Sequence, residues 1–394
     1  MRLPLEGLCV VSVEQAVAAP FATRHLADAG ARVIKVERVD GGDFARHYDR
    51  KVRGMSSHFV WLNRNKESIA IDLSTDAGKG ILRRLLDNAD VFVYNLAPGA
   101  MARLGFPTED LRSAYPRLIV AELTGYGDAG PMKHHKAYDM LIQAEAGLVS
   151  ITGSEDTPSK AGIPVADIAA GSYLIQGVLT SLLERERTGT GTVLQVSLFD
   201  AMVEWMGYPI YYTLFGGTPP ERVGLAHPTV VPYDAYPTAD GQRVIIAVQN
   251  DAGWRALATH VLDRSDLITD PRFATNVART ENRAAVDRVV ADRTVQLTAA
   301  ELLEALKRAG VACGQVRDMA EVIEHPQLTS RDRWDTVDSP VGPIRVVLPP
   351  LAASKGSVRM DPIPAFGEHS DAILAELGYD QADRDRLRAT GAVA

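Results

Sequence analysis

The sequence predicts an α/β protein with a doubly wound parallel sheet, followed by a second region of different character. Three observations carry that reading. Short runs rich in β-branched residues alternate with segments of helical spacing over the first hundred residues. The intervening helices have the dozen or so residues that a parallel crossover needs. Beyond residue 205 the composition changes, and "PPERVGLAHPTVVPYDAYPTADGQ" (219–242) is dense in Pro, Gly, Tyr and Asp.

The elements follow in order. "LCVVSV" (8–13) reads as a buried strand, and "PFATRHLADAG" (20–30) as a helix closed at Gly30, with Pro20 in its first turn. "ARVIKVE" (31–37) and "SIAIDL" (68–73) are the next strands, and "TDAGKGILRRLLDNA" (75–89) is a helix opened by Thr75 or Asp76. "VFVYNL" (91–96) and "RLIVAELTGYG" (117–127) continue the alternation. Later, "YDAYPTADGQRVIIAVQ" predicts a hairpin about Asp240-Gly241, and helical patterns fill 251–311. Strand-and-turn character returns at 339–354, and "HSDAILAELGY" (369–379) reads as a final helix with a Ser/Asp cap. No internal repeat or low-complexity tract is present.

A chain of 394 residues is long enough for two domains, and 46% hydrophobic with 23% charged residues is ordinary for a globular protein. The net charge of −8 argues against a nucleic-acid partner, which needs a concentrated basic face, while leaving room for a local basic pocket. Cys9 reads as a core thiol, and with Cys313 far away in sequence neither a disulfide framework nor a zinc site is supported. The N-terminal stretch has no leader pattern, and no window reads as an uncharged run able to span a bilayer, so the expectation is a cytoplasmic protein without a membrane partner.

The first βα junction invites a dinucleotide reading, with Glu37 where a ribose-binding acid would sit. Its loop, "EQAVAAP", has no G-x-G-x-x-G, which leaves that reading poor and Glu37 a surface residue. Arg38, Lys66, Arg103 and Lys136 each follow a strand signal, at the sheet end where ligands bind, and together suit an anionic ligand. Asn95 stands at a strand end before a Pro-Gly turn. His134 and His135 are adjacent, a poor arrangement for one metal ion, and no metal is expected. "GIPVADIAAGSYLIQG" (162–177) places Asp167 at the head of an apolar helix. The plain reading is an N-cap; a nucleophile held ionised by the helix dipole is the sharper one, with Gly162 and Gly171 giving a substrate room.

The ordered segments "LEGLCVVSVEQAVAAPFATRHLADAGARVIKVER", "LNRNKESIAIDL", "VFVYNLAPGAMARLGF", "ELTGYGDAGP", "KAYDMLIQAEAG" and "ADIAAG" resemble the class III CoA-transferases, the family of formyl-CoA transferase and the carnitine CoA-transferases. "HPTVVPYDAYPTADG", "DPRFATNVARTENR", "AGVACGQV" and "GEHSDAILAELGY" extend the resemblance over nearly the whole chain. It implies an interlocked, ring-like homodimer. Residues 1–205 and 335–394 would form a large Rossmann-like CoA-binding domain and 226–330 a smaller α+β domain, with 206–225 and about 331–334 as linkers. It implies Asp167 as catalytic aspartate and Tyr138 beside the active site. Gln15, Ala16, Ala18, Arg38, Lys66, Asn95, Leu96, Arg103 and Lys136 would contact CoA. CoA and acyl-CoA would be substrates, with no separate cofactor.

The implied chemistry passes from acyl-CoA through a mixed anhydride to an aspartyl-CoA thioester on Asp167, and then to an acceptor carboxylate. Backbone N–H groups near Gly162 or at the helix start would stabilise the oxyanions. The glycine-rich loop that covers the site in formyl-CoA transferase has no counterpart near 225–260. The 2-methylacyl-CoA racemases are the rival within the fold. Their His-Asp pair is replaced here by Tyr138-Asp139, which removes the base that α-proton abstraction wants. A CoA-binding protein without turnover is a third reading and would have no need of Asp167. The segments "AVAAPF", "SSHFVWLNRNKES" and "HPTVVPYDAYPTADG" look closest to the branch handling small C4–C5 dicarboxylates, whose distal carboxylate Arg46, Arg50 or Arg53 could meet.

Overall fold

Strands such as VFVY, apolar on both faces, are stable only in a sheet covered on both sides, and that is where they lie. The computed structural model describes residues 3–352 and 357–394, so the end of the expected 339–354 stretch lies outside the described residues. The chain divides into two units. The first comprises Met1–Leu148, Ala161–Tyr208 and Gln327–Ala394; the second comprises Val149–Lys160 and Pro209–Pro326.

The first unit is built on six strands: β1 (Cys9–Val13), β2 (Arg32–Glu37), β3 (Lys66–Ala70), β4 (Val91–Tyr94), β5 (Ile119–Thr124) and β6 (Val193–Ser197). Every pairing is parallel, in the order β3-β2-β1-β4-β5-β6. The order reverses direction between β1 and β4, which opens a crevice at their carboxyl ends. Helix α1 (Ala18–Asp28) links β1 to β2, and α2 (Asp76–Leu86) links β3 to β4. Thr75 caps α2 by accepting from the Gly78 N–H at 3.0 Å. A core of Val11, Ile34, Ile69, Ile81, Leu82, Phe92 and Val120 fills one side of the sheet, each worth roughly 1.5–3 kcal/mol on burial.

Ile373, Leu374, Leu387 and Val393 join the same core, so distant segments of the sequence complete one unit. The helix over Ser370–Glu376 is preceded by His369 without a side-chain cap, contrary to the expected Ser/Asp cap. It is also not the final helix, since Gln381–Ala389 follows. The Ser370 hydroxyl instead accepts from the Ala70 N–H at 3.3 Å, on the edge of β3.

Two helices carry the groups of interest, α3 (Asp139–Glu145) and α4 (Val165–Thr188). By length and composition α4 could cross a membrane, against the expectation that no window would. Its buried Ala169, Ala170, Gly171, Leu174 and Val178 make one face a packing surface within the unit. A Cβ at Gly171 would lie 2.7 Å from the Ala18 carbonyl oxygen and 2.9 Å from Phe21, so this glycine allows α4 to approach α1. It does not make room for substrate, as the sequence suggested.

In the second unit Tyr233–Pro237, Arg243–Ala247 and Ala312–Gln315 form an antiparallel sheet, and the first two make the expected hairpin with Gly241 at φ 75°. Helices over 251–308 pack Trp254, Leu257, Val286, Val290 and Leu302 into its core. Residues Gly207–Gly216, expected to open a linker, are helical.

The same substitution should have opposite effects at two helical glycines. Gly171→Ala forces a methyl into the α1 backbone and should cost about 1–3 kcal/mol. Gly80→Ala, in α2 with nothing within 4 Å of the added carbon, should gain about 0.5–1 kcal/mol. Urea-unfolding midpoints should move down and up respectively.

Candidate active site

The turn after β1 lies where the sheet order reverses. Its backbone is held from both neighbouring strand ends. The Gln15 N–H donates to Asn95 Oδ1 at 2.9 Å, and Asn95 Nδ2 donates to the Gln15 carbonyl at 2.9 Å. The next N–H, of Ala16, donates to Asp43 Oδ1 at 3.0 Å. Ala16 stands at φ 63°, in the left-handed region that alanine rarely enters. Ala18 is buried at the start of α1, and Leu96 packs against the core.

Beneath this turn lies a cluster of charges. Lys35 sits amid Val33, Ile34 and Val36 of β2, and its ammonium donates to Asp43 Oδ2 at 2.8 Å and lies 3.4 Å from Glu14 Oε1. Glu14 also accepts from Lys66 Nζ at 2.7 Å and from the Thr23 hydroxyl at 2.6 Å. Glu37 receives two bonds from Arg46, at 2.7 and 2.8 Å, and one each from the Ser68 hydroxyl and the Asp43 N–H. Three acids (Glu14, Glu37, Asp43) meet three bases (Lys35, Lys66, Arg46), and the group is neutral. Burial alone would raise the Glu37 carboxyl; its bonds to Arg46 and the charge of Lys35 overcome this and bring it down to about 2.

Two sequence expectations change here. Glu37 is buried rather than a surface residue, because Arg46 and Ser68 occupy its oxygens. Lys66 begins β3 rather than following a strand, and its side chain is 0% exposed. Its three donors go to Glu14, the Pro20 carbonyl at 3.0 Å and Asn63 Oδ1 at 3.1 Å, which leaves none for a phosphate. Burial lowers its ammonium to about 8, even beside Glu14.

Asp167 is not an N-cap. It lies in the first turn of α4, preceded by Pro164. The cap comes from Asp139 at the start of α3, whose Oδ1 accepts from the N–H groups of Ala166 at 2.8 Å and Asp167 at 3.3 Å. The buried Gln143 ties the arrangement together, donating to Asp139 Oδ2 at 2.6 Å and accepting from the Ala161 N–H at 2.8 Å. The N–H groups of Val165 and Ile168 bond to the carbonyls of Ile163 and Pro164. The helix start therefore keeps few donors for an oxyanion; exposed Gly162, with open space around it, is the nearer candidate.

The Asp167 carboxylate accepts no hydrogen bond among the described residues. Burial pushes its carboxyl up to about 7, and the Asp139 charge adds to the rise, overriding the dipole effect that the sequence suggested. Burial likewise pushes the nearby Tyr48 hydroxyl up to about 12, with the charges of Asp43, Asp167 and Tyr138 acting in turn. Tyr138 immediately precedes α3 and is 63% exposed.

Arg38 follows β2 and is exposed, paired with Asp40 at 2.5 Å. Arg103 bonds the Pro98 carbonyl at 3.1 Å, and Lys136 is exposed without an ion pair among the described residues. Tyr48 is flanked in sequence by residues lining a cavity of about 370 Å³, whose walls include Arg46, Asp49, Arg50, Met55 and Phe59. Arg46 is spent on Glu37 and stacks 3.7 Å from the Phe59 ring, and Arg53 bonds the Pro343 carbonyl at 3.2 Å. Asp49 is saturated by Ser57 and the Lys51 N–H. Arg50 is exposed and makes no ion pair among the described residues. No group of three or more His, Cys, Asp or Glu suited to a metal is found among them either. Asp43, Gln143 and Tyr48 escaped the sequence reading, which took Asp139 only as the partner of Tyr138; a lysine amid Val33, Ile34 and Val36 was the one available signal for the cluster.

Comparison with known proteins places the chain in a family. Residues 5–370 match the model for CoA-transferase family III. The chain is 34% identical to succinyl-CoA:glutarate CoA-transferase of Mus musculus over 99% of its length and 90% of that protein's. It is 33% identical to succinyl-CoA–D-citramalate CoA-transferase of Chloroflexus aurantiacus over 98% and 97%. A crystal structure of a CAIB/BAIF family protein from Brucella suis superposes with a TM-score of 0.84 at 35% identity, covering 96% of this chain and all of that one. The chain belongs to CoA-transferase family III and is a CoA-transferase.

Proposed function

We propose that this enzyme moves CoA from an acyl-CoA to a small dicarboxylic acid, with Asp167 as the nucleophile. The observation that carries the reading is a largely enclosed carboxylate that accepts no hydrogen bond, whereas Asp43, Asp49 and Asp139 are all bonded. Such a group is costly to keep unless the chemistry uses it. Its raised affinity for protons also makes it a better nucleophile once ionised.

An Asp167 oxygen attacks the thioester carbonyl, the C–S bond breaks, and CoA leaves as thiolate. The sulfur then attacks the aspartyl carbonyl of the mixed anhydride, releasing the donor acid and leaving an aspartyl-CoA thioester. An acceptor carboxylate attacks this thioester, and the steps run in reverse. Each stage exchanges one activated acyl group for another, so no external energy source is required. Tyr138 sits beside the reacting carbons, and the Gly162 N–H faces the developing oxyanion. Gln15, Ala16, Ala18, Asn95 and Leu96 form the wall along which CoA lies, with Arg38, Arg103 and Lys136 meeting its phosphates. Lys66 acts from below, through Glu14.

The acceptor class rests on the names of the relatives, which act on glutarate and D-citramalate. It is also supported by Arg50, the unpaired cation at a cavity with apolar Met55 and Phe59 in its wall. A homodimer, interlocked as the family resemblance implies, is part of the proposal. The exposed Tyr211, Leu214 and Phe215 of the helix Gly207–Gly216 supply apolar surface for a partner to cover. Racemisation has less support, since Asp139 is committed to α4 and no histidine adjoins Asp167 in the helix.

Asp167→Ala should lower label exchange between acyl-CoA and free acid by about 10³-fold or more while CoA still binds. Hydroxylamine trapping during turnover should mark the peptide that holds Asp167. Deuterium entering the α-carbon in heavy water, without acid exchange, would favour the racemase instead. Because the folded carboxyl titrates near 7 and the free one near 3.8, the folded chain holds a proton between those values that the unfolded chain has lost. Stability should therefore fall as pH rises from about 4 to 7 and stay low above. Asp167→Asn should then stabilise the protein at pH 8 by about 2 kcal/mol and by much less at pH 4, read by urea unfolding. Arg50→Met should raise KM for a dicarboxylate about tenfold or more and leave that for a monocarboxylate nearly unchanged; equal effects on both would sink the subsite.

A further inference from the structure

We propose that Asp43 is a positioning residue for the CoA-binding turn, holding Ala16 in a left-handed conformation that the turn would otherwise leave. The inference rests on the reading of Gln15 and Ala16 as CoA contacts.

Ala16 is at φ 63°. Asn65, Asp263 and Asp332 share this region of backbone space, where their short polar side chains favour it; Ala16, like Arg53 at φ 51°, has neither that help nor the freedom of glycine. Something outside the turn must hold it. The Ala16 N–H has one partner, Asp43 Oδ1, at 3.0 Å. Asp43 is itself fixed on every side. Oδ1 also accepts from the Ala45 N–H at 2.9 Å, Oδ2 accepts from Lys35 at 2.8 Å, and its own N–H donates to Glu37 at 2.9 Å. Lys35 is in turn 3.4 Å from Glu14, which Lys66 holds at 2.7 Å.

The neighbouring peptide unit is clamped from the other side by Asn95. Two successive residues of one turn are thus gripped by side chains that follow β2 and β4, the strands flanking β1. A buried ion cluster is a poor device for stability, since well-packed apolar residues often serve as well. It is a good device for fixing one acceptor oxygen in place. The cluster is therefore explained by the conformation it imposes on the turn above it.

The test compares Lys35→Met/Asp43→Asn with Lys35→Met/Asp43→Ala. Both remove one positive and one negative charge, so neither leaves a buried ammonium unpaired. They differ in one acceptor, since asparagine keeps a carbonyl oxygen for the Ala16 N–H. The asparagine variant should keep KM for acyl-CoA within about twofold of the starting protein. The alanine variant should raise it about tenfold, with a much smaller change in kcat. Adding Ala16→Gly to the alanine variant removes the strain and should recover most of the loss.

Equal KM for the two double variants, a fall confined to kcat, or no recovery with glycine would each overturn the proposal. The dissociation constant of free CoA gives the same comparison without turnover. A starting protein that binds CoA but shows no transfer would therefore overturn the functional reading and leave the clamp testable. Native-state hydrogen exchange supplies a measurement that needs no variant. The Ala16 amide should be protected although its residue is only partly buried, and fast exchange would overturn the clamp.

Discussion

Six charged side chains, five of them buried and Arg46 nearly so, gather around the carboxyl ends of β1 and β2 and the start of β3, and they set the conditions for the site above them. Removing one partner would strand its neighbour without water, at about 3–5 kcal/mol, so the group stands or falls together. Its neutrality, three acids against three bases, is what makes burial tolerable. The turn carrying Gln15 and Ala16 rests on this layer, and Arg46 extends it to the Phe59 wall of the cavity. Packing of the sheet brings the strand ends together, and the ion cluster decides how the backbone leaves them.

Asp139 and Asp167 show how two carboxylates of one site can be given opposite tasks. Asp139 satisfies the first turn of α4 and is itself held by Gln143, so its oxygens are occupied. Asp167 is left buried, with no donor and with a negative neighbour, and burial first and that neighbour second raise its proton affinity. The capping that a sequence reading assigns to Asp167 is real chemistry at the right helix end, but a different residue performs it. In the proposed mechanism, separating the two tasks frees the second carboxylate for the thioester.

The parallel sheet was legible because its strands carry local signatures, and β1, β2 and β4 lie within a residue or two of where apolar runs place them. Helix α2 and the hairpin at Gly241 announced themselves through a threonine cap and an Asp-Gly turn. Position and resemblance singled out Asp167 and Asn95, and the structure sets Asp167 in the first turn of α4 and Asn95 against the turn after β1. What remained hidden was pairing across distance. Lys66 looks like a phosphate ligand until Glu14 is found 2.7 Å away, and Glu37 looks like a surface acid until Arg46 reaches it. Asp139 to Ala166 and Asp43 to Ala16 are likewise contacts between separate elements, which no local spacing encodes. Gly171 carried a signal that pointed the wrong way, because a glycine for helix packing and one for substrate access look alike in a sequence.

The edge of β3 has a bearing on how the protein is made. Its free backbone groups are covered by residues some 300 positions later: Ser68 O accepts from the His369 N–H at 2.9 Å, the Ala70 N–H donates to Ser370, and Ile71 bridges to Val393. Until those residues leave the ribosome, the nascent sheet presents an open strand edge, a template for pairing with other chains. Closure of the first unit therefore trails the synthesis of its sheet, with a loop of some 300 residues to draw in. The second unit, whose sheet and helices lie mostly within 209–326, can assemble meanwhile from contacts closer in sequence. Sealing of the sheet thus waits for residues translated some 300 positions after the strand they cover.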